Sequence, residues 1–180
     1  SLASVAVAAG APPATDWKKE PFRPFINLEP PYENHIAYQS KQPISPHTVR
    51  RAIYWSLLNA PTAGVTYGGH GIWGWDDGTK PPTDHPRTGI PLPWRQALLM
   101  PAAEQMARVA ELFGSIDFTK LRPAPEMVVK QPGDKNPSSF IAAARSEDGK
   151  AAVIYTPERQ TIVLRPQDLP ANFKMQWFNP

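Results

Sequence analysis

Apolar residues recur along this chain in short runs that prolines and glycines separate. The run at 25–28 is bounded by proline on both sides and predicts a short buried strand, with Glu29 at its exit. Over residues 47–60, after a Ser-Pro start signal, apolar side chains recur at helical spacing, and Pro61 ends the predicted amphipathic helix. A β-branched run at 63–68 predicts a second strand. A strand, a helix and a strand in this order form a crossover unit, so we expect the two strands to pair in parallel.

The middle of the chain predicts one long helix and then a linker. The helix is predicted from Trp94 to about Phe113, with a kink at Pro101, because proline cannot donate the helical hydrogen bond and its ring crowds the preceding turn. Residues 121–139 are rich in proline and show no periodicity, as expected of a linker. The chain is therefore predicted to divide into a first domain over residues 1–120 and a second over residues 140–180.

The predicted second domain is rich in β-structure. The runs 140–145 and 151–156 flank Asp148-Gly149, a pair that supplies the positive φ of a tight reversal, and they predict a hairpin. Two further apolar runs, 161–164 and 173–178, predict a third and a fourth strand. Four strands in about forty residues are typical of an antiparallel sheet. The predicted fold class is therefore α/β, with an antiparallel sheet at its end, which the family resemblance described below implies to be a partial antiparallel β-sandwich.

Composition narrows the function classes. The 180 residues include 23 prolines and 6 tryptophans, so stiff loops are expected between the elements, and such loops on a rigid scaffold carry binding sites. The net charge is +3, from 19 basic and 16 acidic residues that do not cluster, so no nucleic-acid partner is predicted. No apolar run reaches the roughly 18 residues of a membrane span, so no membrane partner is predicted. Cysteine is absent and the 4 histidines lack ligand spacing, so no metal and no cofactor are predicted.

Polar and aromatic residues follow both strands of the predicted crossover unit. Those after the first strand are Glu29, Tyr32, Glu33 and His35, and those after the second are Tyr67, His70, Trp73, Trp75 and Asp76. The carboxyl ends of neighbouring parallel strands open to the same face, so we expect these side chains to meet. Flat aromatic faces stack on the apolar side of a sugar ring, while carboxylates and imidazoles bind its hydroxyls. A carbohydrate substrate is therefore predicted.

Glu29 is the predicted catalytic residue. Hydrolysis of a glycosidic bond uses two carboxyl groups, for which Glu29 and Glu33 are one possible pair. Because both follow the same strand with two prolines between them, we favour Glu29 as the nucleophile and Glu33 as a supporting group. One of Arg50 and Arg51 is a candidate to hold Glu29 in its charged form, and a solvated helix face is the alternative for either. The predicted substrate-binding residues are Tyr32, Glu33, Arg50, Tyr67, His70, Trp73 and Trp75.

The strand, helix and loop segments together resemble a known family. Residues 25–33, 49–52 and 63–68 and Trp73-Gly74-Trp75 resemble, in order and spacing, the second half of an apiosidase-like glycoside hydrolase barrel. The resemblance implies a (β/α)8 barrel, of which this chain holds the last two β/α units. It implies that Glu29 is the nucleophile at the end of the seventh barrel strand. The acid/base residue would come from an earlier strand, around the fourth, that this sequence does not include.

The end of the chain extends the resemblance. Residues 140–180, with the Asp148-Gly149 hairpin and the closing Trp177-Phe178-Asn179-Pro180, resemble the small β-sandwich that follows the barrel in this family and is labelled collagen-binding. Nothing in these residues indicates affinity for collagen. Residues 1–10 predict the tail of a helix that begins upstream. We therefore expect a C-terminal fragment whose partner is the missing N-terminal half of the barrel.

Two other functions remain open alongside the hydrolase. The resemblance implies that the parent enzyme cleaves a polysaccharide side chain, that this chain alone is inactive, and that a periplasmic or secreted location is favoured. The first alternative is a non-catalytic carbohydrate- or matrix-binding module in which Trp73 and Trp75 hold the ligand. The second is a structural surface protein whose tryptophans belong to its core.

Overall fold

The predicted crossover unit is present in the structure. The computed structural model describes residues 18–169 and 172–180, and the helix tail predicted over residues 1–10 lies outside them. Strand β1 (Phe25–Asn27) and strand β2 (Thr62–Val65) pair in parallel, and helix α1 (Pro46–Leu58) connects them. The predicted parallel pairing is therefore confirmed, although both strands are shorter than the apolar runs that predicted them.

Helix α1 begins at the Ser-Pro signal. The Ser45 hydroxyl accepts a hydrogen bond from the Thr48 N–H, and Pro46 occupies the first turn, where a missing N–H leaves no partner unsatisfied. The second half of the helix is buried almost throughout, and Ile53 and Leu58 are fully enclosed. Helix α1 therefore lies between the parallel pair and the elements that follow.

The predicted long helix is two helices. Helix α2 (Trp94–Ala97) is a single turn, and helix α3 (Pro101–Gly114) starts after Met100, whose backbone is extended at φ −65° and ψ 145°. The residue before a proline is forced out of the helical region because the proline ring crowds it. Pro101 therefore starts a new helix, and the predicted kink is a break.

The C-terminal part forms a three-stranded antiparallel sheet. Its strands are β3 (Leu121–Pro123), β4 (Ala142–Ser146) and β5 (Ala152–Tyr155), in the order β3-β4-β5. The hairpin of β4 and β5 confirms the prediction, with Gly149 at φ +69° in the turn. The predicted linker over residues 121–139 contains β3, so the absence of periodicity there did not mean an absence of structure. Short 3-10 turns fill the rest of that segment.

The predicted third and fourth strands are wrong. Over residues 161–164, only Leu164 makes a β-bridge, to Val128, and residues 173–178 have no strand in the described part of the chain. A strand forms only where a partner edge is in register, and β-propensity does not specify the partner. The edge of β4 that is not paired with β5 is taken by β3, whose three residues include a proline.

One hydrophobic core joins helix α1 to the antiparallel sheet. Tyr54 of α1 stacks on Tyr155 of β5, with ring centroids 4.5 Å apart and ring planes within 6° of parallel. Val109 and Phe113 of α3 and Leu121 of β3 belong to the same core. This core contains residues from both sides of the segment predicted as a linker, and the division into two domains stays a prediction.

No helix in the described residues is long and apolar enough to cross a membrane.

Candidate active site

The loops after β1 and β2 run side by side. The Thr66 N–H donates to the Asn27 carbonyl at 3.0 Å, and the Thr66 hydroxyl donates to the Leu28 carbonyl at 2.8 Å. Beyond the strands, Glu33 and Gly69 form a further parallel bridge. The polar and aromatic residues that follow the two strands are therefore brought to the same edge, as the sequence predicted.

Glu29 lies exposed at the exit of β1. Its N–H donates to the Asn27 side-chain carbonyl at 3.1 Å, and the Asn27 amide donates to the Ser56 hydroxyl of α1 at 2.8 Å. The Ser56 hydroxyl in turn donates to the Ala52 carbonyl inside the helix. This chain of hydrogen bonds fixes the backbone of the strand exit to α1 and leaves the Glu29 carboxylate open to solvent.

The predicted contact between an arginine and Glu29 is wrong. Arg50 lies beside Tyr155, where its charge lowers the tyrosine pKa against the larger effect of burial, which raises it. Arg51 lies over the Trp55 ring at 5.1 Å and donates to the Ser138 carbonyl. No ion pair joins Glu29 to either arginine within the described ranges. The reason is that this part of α1 faces the antiparallel sheet, so its cations meet the groups there.

Tyr32 follows Glu29 at the exit of β1, and its ring contacts Trp73. Burial and the Glu29 charge both raise the Tyr32 pKa, which places the carboxylate near the phenol. The Tyr32 ring stacks on Trp73, with centroids 6.3 Å apart and an angle of 29° between the ring planes. Gly68 lies directly under the Tyr32 ring, and any side chain at residue 68 would overlap with it. These contacts hold the Tyr32 ring between Gly68 and Trp73.

Three histidines complete an aromatic group that we call the inner cluster, formed by Tyr32, His35, His70, Trp73 and His85. The His35 ring meets the His70 ring edge-on at 4.7 Å, and Trp73 lies edge-on to both His35 at 6.2 Å and His85 at 5.6 Å. Burial, with the nearby His70 and His85 charges, lowers the His35 pKa to about 4. His35 is therefore neutral at pH 7. The described residues contain no group of three or more side chains arranged to hold a metal ion.

His70 holds three loops together. It is 1 % exposed, and its Nδ1 lies 3.2 Å from the Asn34 carbonyl while its Nε2 lies 3.3 Å from the Thr88 hydroxyl. Thr88 donates to the His85 carbonyl at 2.6 Å. Burial lowers the His70 pKa. The structure thus places His70, predicted to bind substrate, inside the protein, where its ring lies edge-on to that of His35.

Glu33 and Tyr67 are bound to each other inside the protein. The Tyr67 hydroxyl donates to Glu33 Oε2 at 2.7 Å, and the Ala102 N–H at the start of α3 donates to both carboxylate oxygens at 3.1 Å. Glu33 is 2 % exposed. Burial and the hydrogen bond to Glu33 raise the Tyr67 pKa far above its usual range. A carboxylate at a helix N-terminus is favoured by the helix dipole, so this contact ties the site loop to α3.

Comparison with known proteins decides the family. The model of the apiosidase-like catalytic domain matches residues 8–120, more than half of the chain. The chain belongs to the apiosidase-like family. The resemblance of the first part of the chain to this family is therefore confirmed, and the resemblance of residues 140–180 to the collagen-binding domain stays a prediction. No curated protein matches this apiosidase-like chain significantly.

Solved structures agree in fold. A glycoside hydrolase family 5 protein from Bacteroides vulgatus is similar to the chain with a TM-score of 0.67 at 21 % identity, over 85 % of this chain and 32 % of that one. A second structure, described as a glycoside hydrolase, has a TM-score of 0.63 at 24 % identity, over 79 % of this chain and 32 % of its own. The apiosidase-like chain thus spans about a third of these proteins. The similarity shows a mixed α/β fold of the glycoside hydrolase type.

The two predicted sugar-stacking tryptophans separate in this apiosidase-like chain. Trp73 belongs to the inner cluster, whereas Trp75 is 71 % exposed and meets Trp94 edge-to-face, with centroids 5.0 Å apart. The Arg95 guanidinium lies over Trp94 at 4.1 Å. We call Trp75, Trp94 and Arg95 the outer group. Sequence spacing alone made the two tryptophans look equivalent.

The sequence left His85 and Trp94 out of the predicted site. Both lie in or directly after the proline-rich loop that follows β2, at least ten residues beyond the tryptophan pair. Their only sequence signal was the length of that loop, since long loops on a rigid scaffold carry sites. His35 follows Glu33 closely and was recognised at the strand exit, but its partners in the inner cluster come from loops that only the fold brings together.

Proposed function

We propose that this chain supplies the nucleophile side of a glycoside hydrolase active site, with Glu29 as the nucleophile. The observation that carries the proposal is the position of Glu29, an exposed carboxylate at the carboxyl end of a parallel strand and next to Tyr32, which stacks on Trp73. Carboxyl ends of parallel strands are where such folds bind ligands. Membership of the apiosidase-like family supports the same reaction class.

In this reaction the Glu29 carboxylate attacks the anomeric carbon, and the bond from that carbon to the leaving oxygen breaks. A second carboxyl group protonates the leaving oxygen, and water later hydrolyses the glycosyl ester formed with Glu29. Glu33 does not suit the role of that second group, because it is buried and its oxygens accept hydrogen bonds from Tyr67 and Ala102. We propose that the acid/base residue lies in a part of the parent enzyme outside this sequence.

The inner cluster is the proposed sugar-binding surface. Trp73 is 38 % exposed and Tyr32 is partly exposed, so both rings are open to stacking against a sugar ring. His35 is neutral at pH 7 and suits hydrogen bonding to sugar hydroxyls. The family name makes apiose the first sugar to test. A terminal side-chain sugar of a polysaccharide is the proposed substrate.

The wider architecture is also a proposal. We propose that β1 and β2 are the last two strands of a (β/α)8 barrel, and that residues 140–180 belong to a β-sandwich. Ile26 and Leu28 are 45 % and 66 % exposed, and parallel strands are normally covered on both faces, which supports further strands beside β1. The collagen-binding label has no support in the described residues beyond the resemblance.

The decisive experiment is Glu29→Gln in the full-length enzyme, assayed on 4-nitrophenyl β-D-apiofuranoside and on an apiose-ended trisaccharide. We expect kcat to fall by about a thousandfold or more with the melting temperature unchanged, because the amide is not a nucleophile. Glu126→Gln, at another exposed glutamate, is the matched control and should leave turnover unchanged. Near-normal turnover by Glu29→Gln would refute the assignment. Binding of the trisaccharide without hydrolysis by the unmodified enzyme would instead favour a carbohydrate-binding module.

A further inference from the structure

Within the outer group, Trp75 has an unusually exposed side chain and an unusual backbone conformation. Trp75 is 71 % exposed, although indole is among the largest apolar side chains. Its backbone is left-handed at φ +50°, a region that bulky residues rarely adopt. Burial in a core does not explain a tryptophan in this conformation. Backbone strain of this kind persists only where the surroundings over-determine it, and it clusters at binding sites.

The surroundings of Trp75 hold it firmly. Gly71 and Gly78, both at positive φ, lie directly against Leu92 and Pro93, where side chains would collide. The Trp94 N–H donates to the Asp76 carbonyl at 2.9 Å, and the Asp76 N–H donates to the Gly71 carbonyl at 3.0 Å. The loop that carries Trp75 is therefore clamped to the segment that carries Trp94. A preformed surface of this kind binds with little loss of conformational freedom.

The outer group follows the inner cluster directly along the chain. Trp73, Gly74 and Trp75 are consecutive and all exposed, so the two tryptophans are one residue apart on the same exposed loop. Arg95 lies over the Trp94 ring, and Trp94 itself meets Trp75 edge-to-face, so the outer group offers the exposed Trp75 ring with a cation nearby. An aromatic surface that continues from a sugar site, with a hydrogen-bond donor beside it, suits a further sugar ring.

We propose that the outer group binds a second sugar unit of the same glycan, next to the unit bound at the inner cluster. The inference rests on the proposed function, and it extends it by making the substrate a chain of at least two sugars. A glycoside with a small aromatic leaving group would use the inner cluster alone. An oligosaccharide would gain binding from Trp75 as well.

The test compares the two substrates in the full-length enzyme. The measured quantity is the ratio of kcat/KM for an apiose-ended trisaccharide to kcat/KM for 4-nitrophenyl β-D-apiofuranoside. Trp75→Ala should lower this ratio about tenfold, which corresponds to about 1.4 kcal/mol. Trp75→Phe, which keeps a flat ring, should restore most of it. Trp177→Ala, at a tryptophan that is 76 % exposed and outside both aromatic groups, is the matched control and should leave the ratio unchanged.

Each outcome is decisive. A ratio that Trp75→Ala leaves unchanged, in an enzyme that Glu29→Gln inactivates, overturns the second sugar site and leaves the proposed function standing. A fall in the ratio that Trp177→Ala reproduces also overturns it, because the effect would then not be specific to the outer group. If the unmodified enzyme hydrolyses neither substrate, the proposed function fails and the second sugar site fails with it.

Discussion

Tyr32 lies directly on Gly68, in a space that exists only because residue 68 has no side chain. The ring rests on the loop after β2 although Tyr32 itself follows β1, so this contact joins the two strand exits. On the same ring, Tyr32 stacks on Trp73 and senses the Glu29 charge. The position of the Tyr32 ring within the proposed sugar surface therefore depends on one glycine.

Gly68→Ala should displace Tyr32. Because the new methyl group would occupy the space of the ring, we expect kcat/KM to fall by about ten- to a hundredfold and the free energy of unfolding to fall by about 1–3 kcal/mol. Steady-state kinetics and denaturant unfolding of the full-length enzyme measure the two effects. Gly114→Ala is the control, since a methyl group there meets no atom within 4 Å. Unchanged activity in Gly68→Ala would show that Tyr32 is not needed where it lies.

Glu33→Gln should destabilise the protein. One of the two carboxyl oxygens that accept from the Tyr67 hydroxyl and the Ala102 N–H would become an amide NH2, which cannot accept, so we expect the free energy of unfolding to fall by about 1–3 kcal/mol. Denaturant unfolding measures the change. Glu104→Gln is the matched control, since Glu104 lies exposed in the first turn of the same helix, and it should change stability by less than about 0.5 kcal/mol. Equal effects in the two variants would show that Glu33 does not anchor α3.

Stability should fall in mild acid because of His35. Its pKa is about 4 in the folded protein, below the ordinary value of 6.5, so the unfolded chain binds more protons between these two values. The contribution of neutral His35 to the free energy of unfolding is therefore complete above about pH 6.5. It is lost progressively as the pH falls toward 4. Denaturant unfolding at pH 7 and pH 5 measures the loss. His35→Phe keeps a ring and cannot titrate, so its free energy of unfolding should fall less between the two pH values than that of the unmodified protein. An identical fall in the two proteins would show that His35 is not the group responsible.

Substitutions of Tyr155 test how much stability comes from the core that joins α1 to the antiparallel sheet. Tyr155→Ala removes the ring that stacks on Tyr54 and should lower the free energy of unfolding by about 3–5 kcal/mol. Tyr155→Phe should cost much less, because it keeps the ring that stacks on Tyr54. Calorimetry of this chain should show one cooperative transition for residues on both sides of the segment 121–139. Two separate transitions would favour the predicted division into domains.

Local signals in the sequence were sufficient for the parts of the fold that depend on neighbours along the chain. The Ser45-Pro46 start of α1, the Asp148-Gly149 hairpin and the order strand, helix, strand each follow from backbone chemistry within a few residues. The predicted strands at 161–164 and 173–178 failed because a strand also needs a partner edge. Strand β3 was missed for the same reason, since its pairing with β4 joins residues more than twenty positions apart.

For the site, the sequence determined which side chains follow the two strands, and the tertiary structure decided which of them are exposed and which of them meet. The motif around Glu29 and the tryptophan pair identified the strand exits, because parallel strands must open to one face. Only the fold shows that Glu33 is buried under α3, that Arg50 lies beside Tyr155, and that Trp73 and Trp75 belong to different groups. The physical reason is that burial and contact depend on segments distant in sequence, and no local pattern encodes which of them will meet.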